Sequence, residues 1–489
     1  MAKARTNEGA VQYDHSLDHG VEFFSKAGSL YTTKTKKSYY GNETSALELF
    51  KNVWFSGNHE LAVKLLFWLR DCRGGAGNRS AFRECVKWLA ETDPRWVQVN
   101  LGLIPEYGRW DDLRALNGTV AEKVATEMWA KAIAKKDGLA CKWADRKDTN
   151  VLKALRKDKV VSDIGEFRRL LAQGRKNVVE RKMCSNNWNE IEYTHVPSVA
   201  MSRYTKAFGK HDETRFSKFK EKVKKGEAKI NASVVFPHDL TRTVMNGDSE
   251  IADAQFEALP NWVGDSKLRI MVICDTSGSM SSVVGGTVHA WHVSTSLALY
   301  CSDRIPAESP FHRKFIQFCS ESKLTDWKGH TFSEAYGKGK NPMGGADRRY
   351  WYYSNHGVFD GAVGSTRVDK ALDMLLNHAT VFGATNEQVP NMLLIVSDMQ
   401  FHQGVDGGDK TEVERCLAKW EAAGYDRPKV IYWNTSGYAG SPSTVAHKDV
   451  GLVSGFSPSI LEAIMSAEDF TPLGIMLKKL EKYNVVVPS

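Results

Sequence analysis

At 489 residues the chain exceeds what one ordinary hydrophobic core organises, so two or three domains are expected. Its 42% hydrophobic and 25% charged residues are those of a globular protein, and no apolar run approaches the roughly 18 to 20 residues of a membrane-spanning helix, which argues against a membrane protein of that kind. The net charge of +8 is uneven: residues 121–230 hold 27 Lys+Arg against 15 Asp+Glu, and the remainder of the chain is slightly acidic. Such a local surplus favours a polyanionic partner, with phosphates the usual one, although solvated helices alone also carry charge of this kind.

The first twenty residues, MAKARTNEGAVQYDHSLDHG, contain no apolar core of a secretory signal. The eight cysteines, among them Cys72, Cys184 and Cys319, are scattered without a CxxC pair. That usage fits a reducing compartment, so a cytoplasmic location is expected, with neither a zinc site nor a disulfide framework.

The first half reads as helices. Ser45-Ala46-Leu47-Glu48 has capping-box spacing before an apolar stripe at Leu47, Phe50 and Trp54. ELAVKLLFWLRD places Leu61, Leu65, Trp68 and Leu69 on one face, and SAFRECVKWLAE does the same with Phe82, Cys85, Val86 and Leu89. Short successive helices with one apolar face each are best stabilised by stacking, as in a HEAT-like helical-repeat array or solenoid, here without a strict period. Between the second and third helices lies RDCRGGAGNRS, whose Arg70, Arg73 and Arg79 flank a glycine-rich turn that could meet a phosphate. The turn lacks the GK[ST] ending of a nucleotide-binding loop, and a plain helix-helix turn is the bland alternative.

Further along the basic region, Lys142, Arg146 and Lys147 cluster in CKWADRK, Arg156 follows, and Arg203, Lys206 and Lys210 recur at helical spacing in MSRYTKAFGK. These are candidate RNA contacts. Of the interleaved aromatics, Trp143, Tyr204, Phe208, Phe216 and Phe219, most are expected in the core, while a minority could stack on unpaired bases.

From residue 266 the pattern changes. KLRIMVICD, FHRKFIQFC, NMLLIVSDMQ and KVIYWN read as strands, separated by helical HAWHVSTSLALYC, TRVDKALDMLLNHA and TEVERCLAKWEAAG. The alternation predicts a doubly wound, mostly parallel sheet, in which ligands sit at the carboxyl ends of strands. Asp275 and Asp398 both fall at such ends. A protease dyad would need a second DTG segment in an all-β fold, and a serine nucleophile would need a GxSxG elbow with its base; neither is visible. Asp275, Ser277 and Ser279, at i, i+2 and i+4 after a strand, can instead turn hard oxygens toward Mg²⁺ or, as the alternative, Mn²⁺.

DTSGS resembles the DxSxS motif of the von Willebrand factor A domain, a Rossmann-like fold with a metal-ion-dependent adhesion site (MIDAS). The resemblance adds Thr366, in GSTRVDKAL, and Asp398, in LLIVSDMQ, to the ligand set. It implies direct binding by Ser277, Ser279 and in some states Thr366, with Asp275 and Asp398 acting largely through water and an open position for an acidic partner group. Arg367 departs from the family pattern, and the segment from Trp327 to Gly364, with RRYWYYSNHG, is longer than the family's. TNEGAVQYD, LRDCRGGAGNRSAF, IPEYGRWDDL and VPSVAMSRYTKAF resemble segments of Ro autoantigen-like (TROVE-type) proteins, most closely their less characterised relatives in phages and plants. That likeness implies a ring of helical repeats paired with a von Willebrand A domain, binding small non-coding RNAs on its basic surface and the single-stranded 3′ ends of misfolded RNAs.

The expectation is therefore a monomeric, non-catalytic ribonucleoprotein component, with residues 1–265 as an all-α RNA-binding domain and 266–489 as an α/β metal-binding domain. The alternative is a scaffold whose metal grips an acidic side chain of a protein partner. Metal-assisted hydrolysis is disfavoured because no general base stands beside the hydroxyl ligands.

Overall fold

The computed structural model describes residues 3–30, 45–264, 268–285, 288–337, 357–360, 364–403, 409–437 and 440–489. RRYWYYSNHG, apart from its final glycine, lies outside them. The chain divides into two compact units, and the division is not a single cut near residue 265. One unit joins residues 1–57 to 232–482, and the other joins 58–231 to 483–489.

Among the described residues ten strands belong to the first unit: β1 (Lys3–Arg5), β2 (Val11–Tyr13), β3 (Ile270–Asp275), β4 (Val283–Gly285), β5 (Val288–His289), β6 (Lys314–Phe318), β7 (Ser322–Asp326), β8 (Met392–Ser397), β9 (Lys429–Asn434) and β10 (Val450–Ser454). Six of them form one sheet in the order β10-β9-β8-β3-β6-β7, parallel throughout except for β7, which runs antiparallel at the edge. IMVICD and MLLIVS are buried at every position, as strands covered on both faces must be, and this is why they read as unbroken apolar runs. SKLTD carries Lys323 and Asp326 on an exposed edge, the composition that discourages further pairing. The helix Ala290–Asp303, buried at every position up to Ser302, packs on β3 and is itself covered by Pro237–Met245. After β3 the chain adds β6 on one side and then returns to add β8 on the other, so the order reverses between β3 and β8. The crevice at the carboxyl ends of these two strands is where such a sheet binds ligands.

The expectation of an all-α first half requires a correction. Residues 3–13 form the antiparallel pair β1-β2, and β2 continues across an isolated bridge from Tyr13 to Ser441. The following helix, His19–Lys26, rests against β10. Ser454 Oγ donates to Phe24 O (2.7 Å) and Ser29 Oγ to Asn434 O (2.7 Å), which ties this helix to the sheet. The early residues thus complete an α/β unit encoded hundreds of residues later.

The second unit is helical among its described residues. It runs from His59–Arg70 through Arg79–Thr92, Glu122–Ala134, Thr149–Lys157 and Ile164–Gly174 to Ser198–His211 and Glu213–Lys224, with shorter helical turns between. Asn58, Asn78, Asp137, Asp148 and Asp163 cap helix starts, each accepting a backbone N–H of the first turn. Consecutive helices pack on one another, and Phe82, Cys85, Val86 and Leu89 are buried as their spacing predicts. Gly75 lets the turn after the first helix fold back closely: a Cβ there would stand 2.1 Å from Trp68 O. RDCRGGAGNRS is accordingly a helix-helix turn, organised by Asp71 Oδ1, which accepts the N–H of Arg73 (2.9 Å) and Gly74 (3.1 Å).

Candidate metal-ion face and cationic surface

The loop after β3 lies at the reversal point. Asp275 and Ser277 are fully buried, and Asp275 Oδ1 accepts the Ser277 N–H at 2.9 Å, an Asx turn that brings the Ser277 and Ser279 hydroxyls to 3.2 Å from each other. Asp398, immediately beyond β8, is also fully buried; its Oδ1 accepts the Gln400 N–H at 3.1 Å. Burial, reinforced by the facing charge of Asp398, raises the Asp275 carboxyl to about 7. Burial likewise raises Asp398 to about 6, tempered by the nearby Ser279 hydroxyl, which stands outside hydrogen-bonding geometry. Among the described residues Asp398 Oδ2 is left buried without a hydrogen-bond partner.

Two neighbours escaped the sequence reading. Ser397 Oγ donates to Asp275 Oδ2 (2.5 Å) and accepts the Met399 N–H (3.0 Å), while Met399 takes a positive φ of 64°. Such a backbone is uncommon outside glycine and persists where surroundings hold it. Ser294 Oγ reaches Asp275 O and Val396 O, each at 3.2 Å, stitching β3 to β8 beneath the loop. A serine before the second aspartate was a visible but unspecific signal.

Thr366 is 2% exposed and belongs to a loop that meets the first one: Gly364 O accepts the Gly278 N–H at 3.4 Å. Gly364 has a φ of 75°, and a Cβ there would collide with Ser320 Oγ, so the approach requires glycine. Arg367 sends two bonds to Asp369 (2.8 and 2.6 Å) and is neutralised there.

Among the described residues no group of three or more His, Cys, Asp or Glu is arranged to hold a metal. A cation at this face would rely on the serine and threonine hydroxyls together with the two aspartates. That set fits a hard divalent ion: the donors are all oxygen, Asp398 offers a buried oxygen unused among the described residues, and positive charge would favour the ionised form of two carboxylates whose ionisation burial opposes.

The helical unit holds the other set of candidates. Arg70 requires a correction: it is 3% exposed, and its Nε donates to the fully buried Asp112 at 2.7 Å, so it has no surface to offer a phosphate. Asp112 also accepts from Arg83 Nε (2.7 Å) and from the Arg109 N–H (2.9 Å), joining RDCRGGAGNRSAF to IPEYGRWDDL in one buried knot. Lys142 is occupied by Glu180 at 2.9 Å, Arg73 donates to Glu106 O (3.0 Å), and Arg156 donates to Ser162 O (2.7 Å). Arg79, Arg146, Lys147, Arg203, Lys206 and Lys210 are exposed.

Two like-charged groupings stand out. Arg79 shares a helix face with Arg83 one turn on; although its surface is exposed, partial desolvation of its guanidinium and the charges of Arg109 and Arg83 lower its pKa, outweighing the carboxylates of Asp111 and Asp112. Arg175, which sequence reasoning did not single out, is half-buried, and burial together with Arg146 and Arg181 lowers its pKa. Neither Arg146, Arg175 nor Arg181 has an ion pair among the described residues. Phe208, Phe216 and Phe219 are buried around Tyr193, as expected of core residues. Trp143 is half-buried with the Arg109 guanidinium 3.9 Å over its ring, and Trp188 stacks on the exposed His211 at 4.7 Å.

No described helix is long and apolar enough to cross a membrane. Residues 111–272 match a family model described as Domain of unknown function (DUF2828), and residues 358–482 match one described as Domain of unknown function (DUF7788). Among curated proteins the chain is similar to Uncharacterized protein L728 of Acanthamoeba polyphaga mimivirus, with 25% identity over 540 aligned positions that cover 98% of this chain and 87% of that one. Among solved structures it is similar to the Deinococcus radiodurans Ro (RSR) protein, with a TM-score of 0.39 and 12% identity, covering 95% of this chain and 100% of that one.

Proposed function

We propose that the protein is a non-catalytic RNA-binding protein whose helical unit takes the phosphates of a structured RNA with a single-stranded end. The reading is carried by Arg175, held half-buried beside Arg146 and Arg181, none of the three having an ion pair among the described residues. Like charges gathered in this way cost the folded state free energy that a bound polyanion returns. The exposed Lys206 and Lys210 add further positive charge to the helical unit, and the partly exposed Trp143 and the Trp188–His211 stack supply faces on which unpaired bases can lie. In this reading the helices form the HEAT-like ring of Ro-type proteins and the α/β unit is a von Willebrand A domain.

The test is fluorescence anisotropy of a 3′-tailed RNA, a blunt RNA and duplex DNA across a salt series. Changing Arg146, Arg175 and Arg181 together to glutamine should weaken tailed-RNA binding and flatten the plot of log K against log salt by about 2, since each lost single-strand phosphate contact removes about 0.7. Equal, weak binding to all three nucleic acids, or an unchanged slope, refutes it.

A second reading concerns the α/β unit and is favoured by the orphaned Asp398 Oδ2. Here Ser277, Ser279, Thr366, Asp275 and Asp398 hold Mg²⁺ or Mn²⁺, and the ion supplies an electrophilic point for an acidic side chain of a protein partner. Chelation or Asp275→Ala should then abolish a protein contact and leave RNA binding intact.

A further inference from the structure

The segment TNEGAVQYD is not used by either reading, yet it is laced to the residues that follow Asp398. Thr6 Oγ1 donates to Phe401 O at 2.6 Å, the Asn7 N–H to Gln400 Oε1 at 3.3 Å, and the Gln403 N–H to Glu8 O at 3.0 Å. Gly9 and His402 form an antiparallel bridge. The lacing ends in a side-chain relay that reaches the threonine loop. Thr366 donates its N–H to His402 Nδ1 at 2.8 Å, and His402 returns its own N–H to Thr366 O at 2.9 Å. On the far side of the ring, His402 Nε2 stands 2.7 Å from Glu8 Oε2. Because Nδ1 must accept from an amide, the ring carries its hydrogen on Nε2, directed at the Glu8 carboxylate.

We propose that Glu8 and His402 are positioning residues of the metal-ion face, fixing the backbone of Thr366 so that its hydroxyl is presented to the ion. The inference rests on the reading of that face as a divalent-cation site. It assigns to an N-terminal residue a part in a site built from residues 275–398. Gly364 permits the loop's close approach to Ser320, and the His402 ring adds a rigid strut at Thr366 itself. Glu8 acts on the strut rather than on the ion: its carboxylate sets the ring's tautomer and orientation, as outer carboxylates do for the histidines of metal sites.

The experiment measures Mn²⁺ affinity of the full chain by electron paramagnetic resonance, with hydrogen exchange at the Thr366 amide as a metal-free readout. Glu8→Ala and His402→Ala should each weaken Mn²⁺ about tenfold or more, the scale on which outer partners tune metal sites. His402→Ala should also speed exchange at Thr366. Glu8→Gln and His402→Gln keep the acceptor and donor atoms and should restore most of the affinity. Tyr13→Phe removes a bond of the same segment to Glu414 that leads away from Thr366, and should leave Mn²⁺ binding unchanged. Wild-type affinity in both alanine variants, or an equal loss in Tyr13→Phe, overturns the inference while the cation site stands. Failure of the wild type to bind Mn²⁺ at millimolar concentration overturns the cation site and the inference with it.

Discussion

Replacing Asp112 with alanine should destabilise the helical unit by about 4 to 6 kcal/mol. The side chains of Arg70 and Asp112 are 4% and 0% exposed, so the substitution strands a guanidinium out of water; breaking a buried pair in this way costs about 3 to 5 kcal/mol. The Arg109 N–H loses its acceptor, which adds about 1 kcal/mol. Arg83 adds little, because it is 32% exposed and keeps Asp111 at 3.0 Å. With two units in the chain, a global melt does not isolate the effect. Hydrogen exchange of the Arg79–Thr92 amides does, since their opening free energy should fall by the stated amount. Arg70→Met combined with Asp112→Leu replaces the pair with apolar groups and should recover at least half of the loss. A single variant within about 1 kcal/mol of wild type, or a double variant no better than the single one, would refute the claim that an uncompensated charge is the cause.

Gly75→Ala should cost about 2 to 3 kcal/mol in the same exchange experiment, because the new Cβ meets backbone at Trp68 O rather than a side chain that can turn aside. Acid should loosen the first unit through Glu414. Burial opposes its ionisation, but His447, the Thr411 N–H and the Tyr13 hydroxyl outweigh it and hold the carboxyl down to about 2 from its usual 4.5. The folded value lies below the unfolded one, so the stabilisation is complete above pH 4.5 and lost as pH falls toward 2. Discounted for partial exposure it amounts to about 1 to 2 kcal/mol. Glu414→Gln should therefore lower the urea midpoint at pH 6 and leave it unchanged near pH 2; an equal loss at both would place the effect in packing.

The strands of the sheet were legible because a parallel strand buried on both faces must be apolar at consecutive positions, as IMVICD and MLLIVS are. The position of Asp275 and Asp398 followed from chain direction alone. SKLTD was not legible, since an exposed edge strand owes its conformation to β6 rather than to its own pattern. Nor was the fate of Arg70: its place at a glycine-rich turn sets it beside the exposed Arg73 and Arg79, and its partner Asp112 lies 42 residues on. Arg175 was overlooked for the converse reason, because only the fold brings Arg146 and Arg181 to it. The joining of residues 1–57 to the later α/β unit leaves no local mark, since Phe24 and Ser454 meet across a separation of 430.

That separation has a consequence for how the protein is made. Phe23 and Phe24 are fully buried in the finished molecule, yet the strand against which their helix rests is synthesised last among the sheet's six. At about 5 to 20 residues per second, a ribosome needs on the order of 20 to 90 seconds to pass from one to the other. During that interval the nascent chain carries a helix that the next one, Ala46–Phe55, can already cover in part through the Phe23–Phe50 contact, but whose sheet-facing side has no partner yet. The intervening helical unit, apart from residues 483–489, is made before that partner appears. The sheet-facing side of that helix must therefore wait, shielded by a chaperone or by transient contacts, and a chain interrupted before residue 450 would display it to the cell's quality control.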